Sequence, residues 1–209
     1  MLEILGRGGV LVLPILLCSL VGLTIFFERL ILYRKIAFPD DTLELICELL
    51  AGNRTAEALD LLHPLRRGHR QPLNVILHDA LLFARGDRET IELLLSQGVA
   101  REVQYLGRHL TTLATLANIA PLLGLLGTVL GMIKAFAAVE RLGGKVNATV
   151  LAGGIWEAML TTALGLSVAI PLIILHNHLE NRLNAIQAKL EERAILFFKA
   201  WLSRGRKEG

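Results

Sequence analysis

Glu157 is the only acid in the apolar stretch from Val146 to Leu175, so it is the first residue whose chemistry needs explaining. An ionised carboxylate near the bilayer interior costs roughly 3 kcal/mol or more, so it lines water, finds a partner or handles protons. The competing reading is a solvated carboxylate at the outer interface, because Ala158 to Leu175 is nearly long enough to span alone. An outer linker that ends before Val150 favours the deeper position. Lys134 is equally solitary in the run from Leu110 to Val139. If those two runs are antiparallel neighbours, Lys134 and Glu157 share one depth, and Thr128 and Thr162 share another. A hydroxyl layer near mid-membrane then lies below an acid-plus-lysine layer, and Lys134 is expected to reach Glu157 within or between chains. For Thr128 there is a local alternative, in which its hydroxyl bonds back to the carbonyl of Gly124.

Helical arithmetic puts these groups in tension. Glu157 shares a face with Gly153, Thr161 and Leu164, whereas Thr162 is turned roughly 140° away at about 100° per residue. Both cannot point into one cavity from one ideal helix, so one of them is expected to face a neighbouring helix across a subunit contact. Small residues supply the packing surface. Gly124, Gly127 and Gly131 lie on or near one face of the second run, while Gly154, Ala158, Thr162, Gly165 and Ala169 form a stripe on the third. In lipid such stripes let backbones approach closely, which predicts a seam between the two helices.

The elements that must position these residues are transmembrane helices. Of 209 residues, 53% are hydrophobic, and the mean hydropathy is +0.53. The excess lies in long uncharged runs, which point to a bilayer rather than a soluble core. The spans are expected at 9–33, 110–139 and 150–176. A cleaved signal peptide competes for the first run, but a short apolar core and a small-residue cleavage site are both missing. Basic residues crowd the segment 34–109 and the tail 177–209, whereas the other side holds only Arg7, Arg141 and Lys145. The positive-inside rule therefore puts the short N-terminus (1–8) and the loop 140–149 in the periplasm, and the large loop and the tail in the cytoplasm. The loop reads as helical, with helices after Asp40 to Thr42, after Asn53 to Thr55, from Pro72 to Arg85, and from Asp87 onward without a clear breaker before Leu110. The tail carries Leu179, Leu183, Ile186, Leu190 and Ala194 as one stripe. The fold class is thus an all-α integral membrane protein, three transmembrane helices with long cytoplasmic helical extensions.

The segments Gly-Leu-Leu-Gly-Thr-Val-Leu-Gly-Met-Ile (124–133) and Gly-Ile-Trp-Glu-Ala-Met-Leu-Thr-Thr-Ala-Leu-Gly-Leu (154–166), with Phe-Glu-Arg-Leu at 27–30, resemble the ExbB/TolQ/MotA proton-channel family. The likeness is nearest to ExbB and TolQ, and it covers nearly the whole chain in span order and loop sizes. The resemblance implies an oligomeric ring, a homopentamer, around a dimer of an ExbD- or TolR-like single-span protein whose membrane aspartate takes and releases the proton. A TonB- or TolA-like protein would receive the work. On that likeness Glu157, Thr128 and Thr162 match polar pore positions, with Thr161 and Lys134 added here from their placement. Lys134 departs from the neutral polar residue expected there in relatives.

Other chemistry finds little support. Cys18 and Cys47 lie in segments that could hardly meet, and the histidines show no ligand spacing beyond His176-Asn-His178, which reads as interfacial. There is no phosphate-binding Gly-rich loop and no nucleophile–base pair. No cofactor, metal or enzymatic activity is expected, and the basic tail is read as facing anionic lipid rather than nucleic acid. Two alternatives remain open, a TolQ-like envelope-integrity role and a non-conducting membrane scaffold. The scaffold would need the small-residue seams but not Glu157.

Overall fold

The computed structural model describes residues 9–36, 38, 40–52, 54–62, 71–83, 87–141 and 148–205. Its elements are α1 (Val12–Arg34), α2 (Asp40–Ala51), α3 (Thr55–Leu61), α4 (Pro72–Phe83), α5 (Arg88–Leu106), α6 (Leu110–Arg141) and α7 (Ala148–Gly205). All are helices, and α1, α6 and α7 are long and apolar enough to cross a membrane. The chain divides into two compact units, Met1–Glu28 with His109–Leu179, and Arg29–Arg108 with Glu180–Gly209.

The first unit consists of α1 up to Glu28, α6, and α7 up to Leu179. Its contacts use small side chains: Cys18, Ala120 and Ala169 form a buried cluster, flanked by Leu116, Leu123 and Val168. Gly22 of α1 approaches so closely that a Cβ there would lie 2.6 Å from Leu172. Many large apolar side chains point outward, Leu122 being 62% exposed and Met159 65%, while Ile15, Leu113 and Leu172 are fully buried. This inversion suits lipid, where burying leucine brings no hydrophobic gain and close packing supplies the cohesion. Several hydroxyls in these helices bond back to their own turn, as Thr115 does to Thr111 O and Ser167 to Ala163 O, which satisfies them without water. Pro121 and Pro171 lie inside α6 and α7 without ending either helix.

The second unit has an ordinary leucine-rich core. Leu50, Leu62, Leu77, Leu190 and Phe197 are fully buried. Close packing of α5 on α4 depends on Gly98, where a Cβ would sit 3.1 Å from Ile76, and Arg101 pairs with Asp79 at 2.6 Å. The helix starting near Asp40 ends at Ala51 before Gly52, and α3 follows after Arg54, whose guanidinium binds Glu57. Asp87 stands in extended backbone as the cap residue of α5, and its carboxylate accepts from Thr90 Oγ1 at 3.0 Å. Arg85, the expected end of the helix that starts at Pro72, lies outside the described residues.

One expectation changes. The apolar pattern from Asp87 toward Leu110 suggested one uninterrupted helix, but α5 ends at Leu106 and α6 begins at Leu110. Gly107 takes the C-cap position, and His109 adopts a left-handed conformation with φ 72°. Periodicity continues across the break because Leu106 and Leu110 are both buried. The carbonyls freed at the end of α5 find donors elsewhere: Arg29 Nη1 bonds Leu106 O at 3.3 Å and Tyr105 O at 3.4 Å, and Tyr33 Oη donates to Leu106 O at 3.0 Å. A cation at a helix C-terminus also favours the dipole, and Arg29 is only 4% exposed. At 176/177 α7 continues unbroken into the tail, a helix of 58 residues, in keeping with the helical extension read from the sequence.

Candidate functional site

The site lies where α6 and α7 pass each other. Their backbones touch through the glycines. A Cβ on Gly124 would stand 3.1 Å from Thr161 O and from Thr162 Cα, one on Gly165 2.7 Å from Ala120 O, and one on Gly131 2.9 Å from Ala158 Cβ. Gly154 abuts Ala135 in the same way, and Gly127 makes room for the side chain of Thr161. Thr161, 2% exposed, therefore belongs to the seam itself, and its hydroxyl donates to Ala158 O at 2.8 Å and Glu157 O at 3.3 Å. Gly153 has no atom within 4 Å of its would-be Cβ and lies off the seam.

The polar groups flank this seam on opposite sides. On one flank, Lys134 Nζ donates to Glu157 Oε1 at 2.9 Å. On the other, Thr162 Oγ1 donates across the seam to Gly124 O at 2.9 Å. Thr128 lies on this second flank and bonds back to Leu125 O at 2.6 Å, not to Gly124 O, whose free lone pair Thr162 uses. The roughly 140° between Glu157 and Thr162 is accommodated because both grip α6, from either edge of one contact. Thr162, expected as a member of the small-residue stripe, sits beside it, and Thr161 takes the buried place.

Helix α1 packs along the lysine–carboxylate flank. Leu123 precedes Lys134, and Val168 follows Glu157, by eleven residues. That is about three full turns, so all four share one edge of the hairpin. Leu123 and Val168, with Leu116, pack against the cluster that Cys18 of α1 forms with Ala120 and Ala169. At the start of α1, Gly9 meets the Glu157 carboxylate: a Cβ on Gly9 would overlap Oε1 and lie 3.5 Å from Cδ. The structure thus brings Lys134, Glu157 and Gly9 together, and brings Thr162 to Gly124. It keeps the two threonines on the flank opposite α1.

Chemically, the pair is a carboxylate and an ammonium within hydrogen-bond distance in an apolar helix pair. Each offsets part of the other's desolvation, and their side chains are 28% and 61% exposed in the single chain. Apart from Glu28 and Glu140 near helix ends, Glu157 is the only acid in α1, α6 and the part of α7 up to Leu179. The threonines can relay a hydrogen bond but cannot hold a charge at neutral pH. Among the described residues no group of three or more His, Cys, Asp or Glu is placed to hold a metal ion, and His176 Nδ1 lies 3.4 Å from Asn177 Oδ1. Sequence reasoning missed Gly9, Arg29 and Tyr33. Arg29 and Tyr33 are one turn apart on α1, a spacing that could have marked them as a joint helix-end clamp. Gly9 carried no signal beyond its place beside an apolar run.

Three apolar helices, a glycine-lined hairpin and one charge pair within it define an integral membrane protein. The MotA/TolQ/ExbB proton channel family matches residues 66–192, more than half of the chain. The chain is similar to a putative biopolymer transport protein ExbB homolog of Methanothermobacter thermautotrophicus, 30% identical over 91% of this chain and 66% of the relative. It is also similar to the Tol-Pal system protein TolQ of Haemophilus influenzae, 44% identical over 42% of this chain and 38% of that protein. The biopolymer transport protein ExbB of Salmonella typhimurium is 36% identical over 50% and 43%. The chain spans just under two thirds of the length of the first relative and less of the other two. It belongs to the MotA/TolQ/ExbB proton channel family.

Proposed function

We propose that this chain is the ring-forming subunit of a proton-driven motor in the bacterial inner membrane. It works with an ExbD/TolR-type partner to turn proton-motive force into work on outer-membrane transport. The observation that carries the reading is the Lys134–Glu157 pair, held 2.9 Å apart inside an apolar hairpin in a member of a proton-channel family. An apolar hairpin that only anchored a scaffold would have no use for two charges that must be desolvated together. In this reading five copies surround two copies of the single-span partner, with the N-terminus and the α6–α7 connection periplasmic and the rest of the loop and tail cytoplasmic. Proton entry passes the Glu157 layer, the Lys134 contact opens as the carboxylate takes a proton, and the hydroxyls of Thr128 and Thr162 offer hydrogen bonds on the opposite flank. Because those layers sit on opposite edges of one hairpin, a continuous path between them crosses from one subunit to the next or to the partner. The charge-carrying group at mid-membrane is then a partner carboxylate. Work is passed to a TonB- or TolA-like protein.

A TolQ-like role in envelope integrity is the second reading, favoured by the 44% identical segment shared with TolQ. The first experiment is native mass spectrometry of the gently extracted complex, expressed alone and with its neighbouring single-span protein, followed by proton flux in liposomes. A pentamer that gains two partner copies, and that loses flux but not assembly with Glu157→Gln, supports the motor. A monomer, or unchanged flux in that variant, removes it.

A further inference from the structure

The start of α1 makes a contact that neither helix packing nor span length requires. Gly9 has φ 70°, a conformation that glycine adopts freely and side-chain-bearing residues rarely do. Its Cα face is also where the Glu157 side chain ends: a Cβ at position 9 would overlap Oε1, and would come within 3.5 Å of Cδ and 3.9 Å of Cγ. The same Oε1 accepts from Lys134 Nζ at 2.9 Å. Three elements therefore converge on one oxygen. Lys134 supplies the charge-assisted bond, and the bare backbone of Gly9 bounds the space in which the carboxylate can make it.

We propose that Gly9 is a positioning residue for Glu157: by lacking a side chain in a left-handed turn, it lets the carboxylate lie along the start of α1 in register with Lys134. The proposal rests on reading Glu157 as the proton-handling group of the subunit. It adds that the turn leading into α1 takes part in holding that group, so that any movement of this turn is felt at the Lys134–Glu157 bond. A methyl group at position 9 would push Oε1 off the ammonium, and the three atoms nearest to it all belong to the Glu157 side chain rather than to the α6–α7 seam.

The test uses the full-length complex in liposomes and reads the modification of Glu157 by a hydrophobic carbodiimide, located by peptide mass spectrometry, beside proton flux. Carbodiimides attack the protonated carboxyl, so a carboxylate held by an ammonium reacts slowly. Gly9→Ala is expected to raise the Glu157 labelling rate on the order of tenfold, matching the loss of one charge-assisted hydrogen bond. Lys134→Met, which removes the donor outright, sets the upper bound. Gly9→Ala/Glu157→Asp withdraws the carboxylate by one methylene and should assemble and label as Glu157→Asp alone does. Labelling of Gly9→Ala at the wild-type rate would overturn the proposal. So would a double variant as defective as Gly9→Ala, because backbone strain alone would then explain the defect. Labelling that follows the expected pattern in a complex conducting no protons would keep the positioning role and remove the motor reading. Conduction with unchanged labelling would do the reverse.

Discussion

Lys134 and Glu157 depend on each other more than on their surroundings. Removing one partner leaves a charge in an apolar helix pair, whereas removing both leaves none. Lys134→Met and Glu157→Gln, each alone, should lower the thermal stability of the assembled complex by up to about 1.5–3 kcal/mol. The double variant should recover most of that loss while remaining non-conducting, and strictly additive losses in a double-mutant cycle would show that the contact is not energetically coupled. Cys47 behaves differently. Burial, with a smaller contribution from the charge of Glu44, holds its thiol above the ordinary thiol range. A raised folded-state value means that the native protein keeps this proton longer than the unfolded chain does. The associated stability is complete below the unfolded thiol value and fades as pH rises through the folded one. Alkylation of Cys47 should accordingly be slow near neutral pH and accelerate only in a more alkaline window than that of a free cysteine peptide. A rate equal to the peptide's would contradict the burial.

At the scale of elements, the glycines of the hairpin divide into those that touch and those that do not. Gly165 has a backbone carbonyl 2.7 Å from its would-be Cβ and Gly153 has nothing within 4 Å, although both sit on the same helix. Gly165→Ala should separate α6 from α7 and cost about 1–3 kcal/mol, the range for forcing an extra methyl into a packed contact. Gly153→Ala should be neutral or slightly stabilising, because alanine favours the helix. Melting curves of the two variants in one detergent make the comparison, and equal effects would deny that the seam is a backbone contact. The break between α5 and α6 makes a second prediction. Tyr33→Phe removes the hydroxyl that reaches Leu106 O and should cost about 1 kcal/mol. Arg29→Met removes the cation as well as its bonds and should cost more, with amide exchange at 107–109 rising in both. Helix positions were legible from hydrophobic runs and from the residues at Asp40, Pro72 and Asp87. The break at 107–109 was not, because the buried positions Leu106 and Leu110 keep an unbroken apolar rhythm on either side of it.

For the whole molecule, the distribution of acids is the main constraint. With Glu157 as the one acid besides Glu28 and Glu140 in α1, α6 and the part of α7 up to Leu179, a single chain lacks a neighbouring carboxyl to pass a proton to. Liposomes holding this chain alone should show no proton flux above the lipid background. In the proposed motor, flux should appear on co-reconstitution with an ExbD/TolR-type single-span protein and vanish when the membrane carboxylate proposed for that protein is made an amide. Flux from the chain alone would require a relay that its own residues do not offer. The opposite-edge arrangement of the lysine–carboxylate and threonine pairs leads to a further expectation. Thr162→Val should reduce conduction without disturbing carbodiimide labelling of Glu157, since the two residues share a helix but not a flank.

Composition and pattern alone determined that the chain crosses a membrane in three helices, that the second and third are tight antiparallel neighbours, and that Glu157 and Lys134 are its unusual charges. These follow from quantities a sequence carries directly, namely run length against bilayer thickness, small-residue spacing and the rarity of charge in lipid. Tertiary structure alone decided that Thr161 and not Thr162 fills the seam, that Gly124 O is taken from across the hairpin, and that Arg29 and Tyr33 hold the end of α5. It also decided that the backbone of Gly9 bounds Glu157. Each of these depends on which edge of one helix meets which edge of another. Helical periodicity fixes relative angles within a helix and leaves its rotation against a neighbour free, so only packing of the actual side chains could set them.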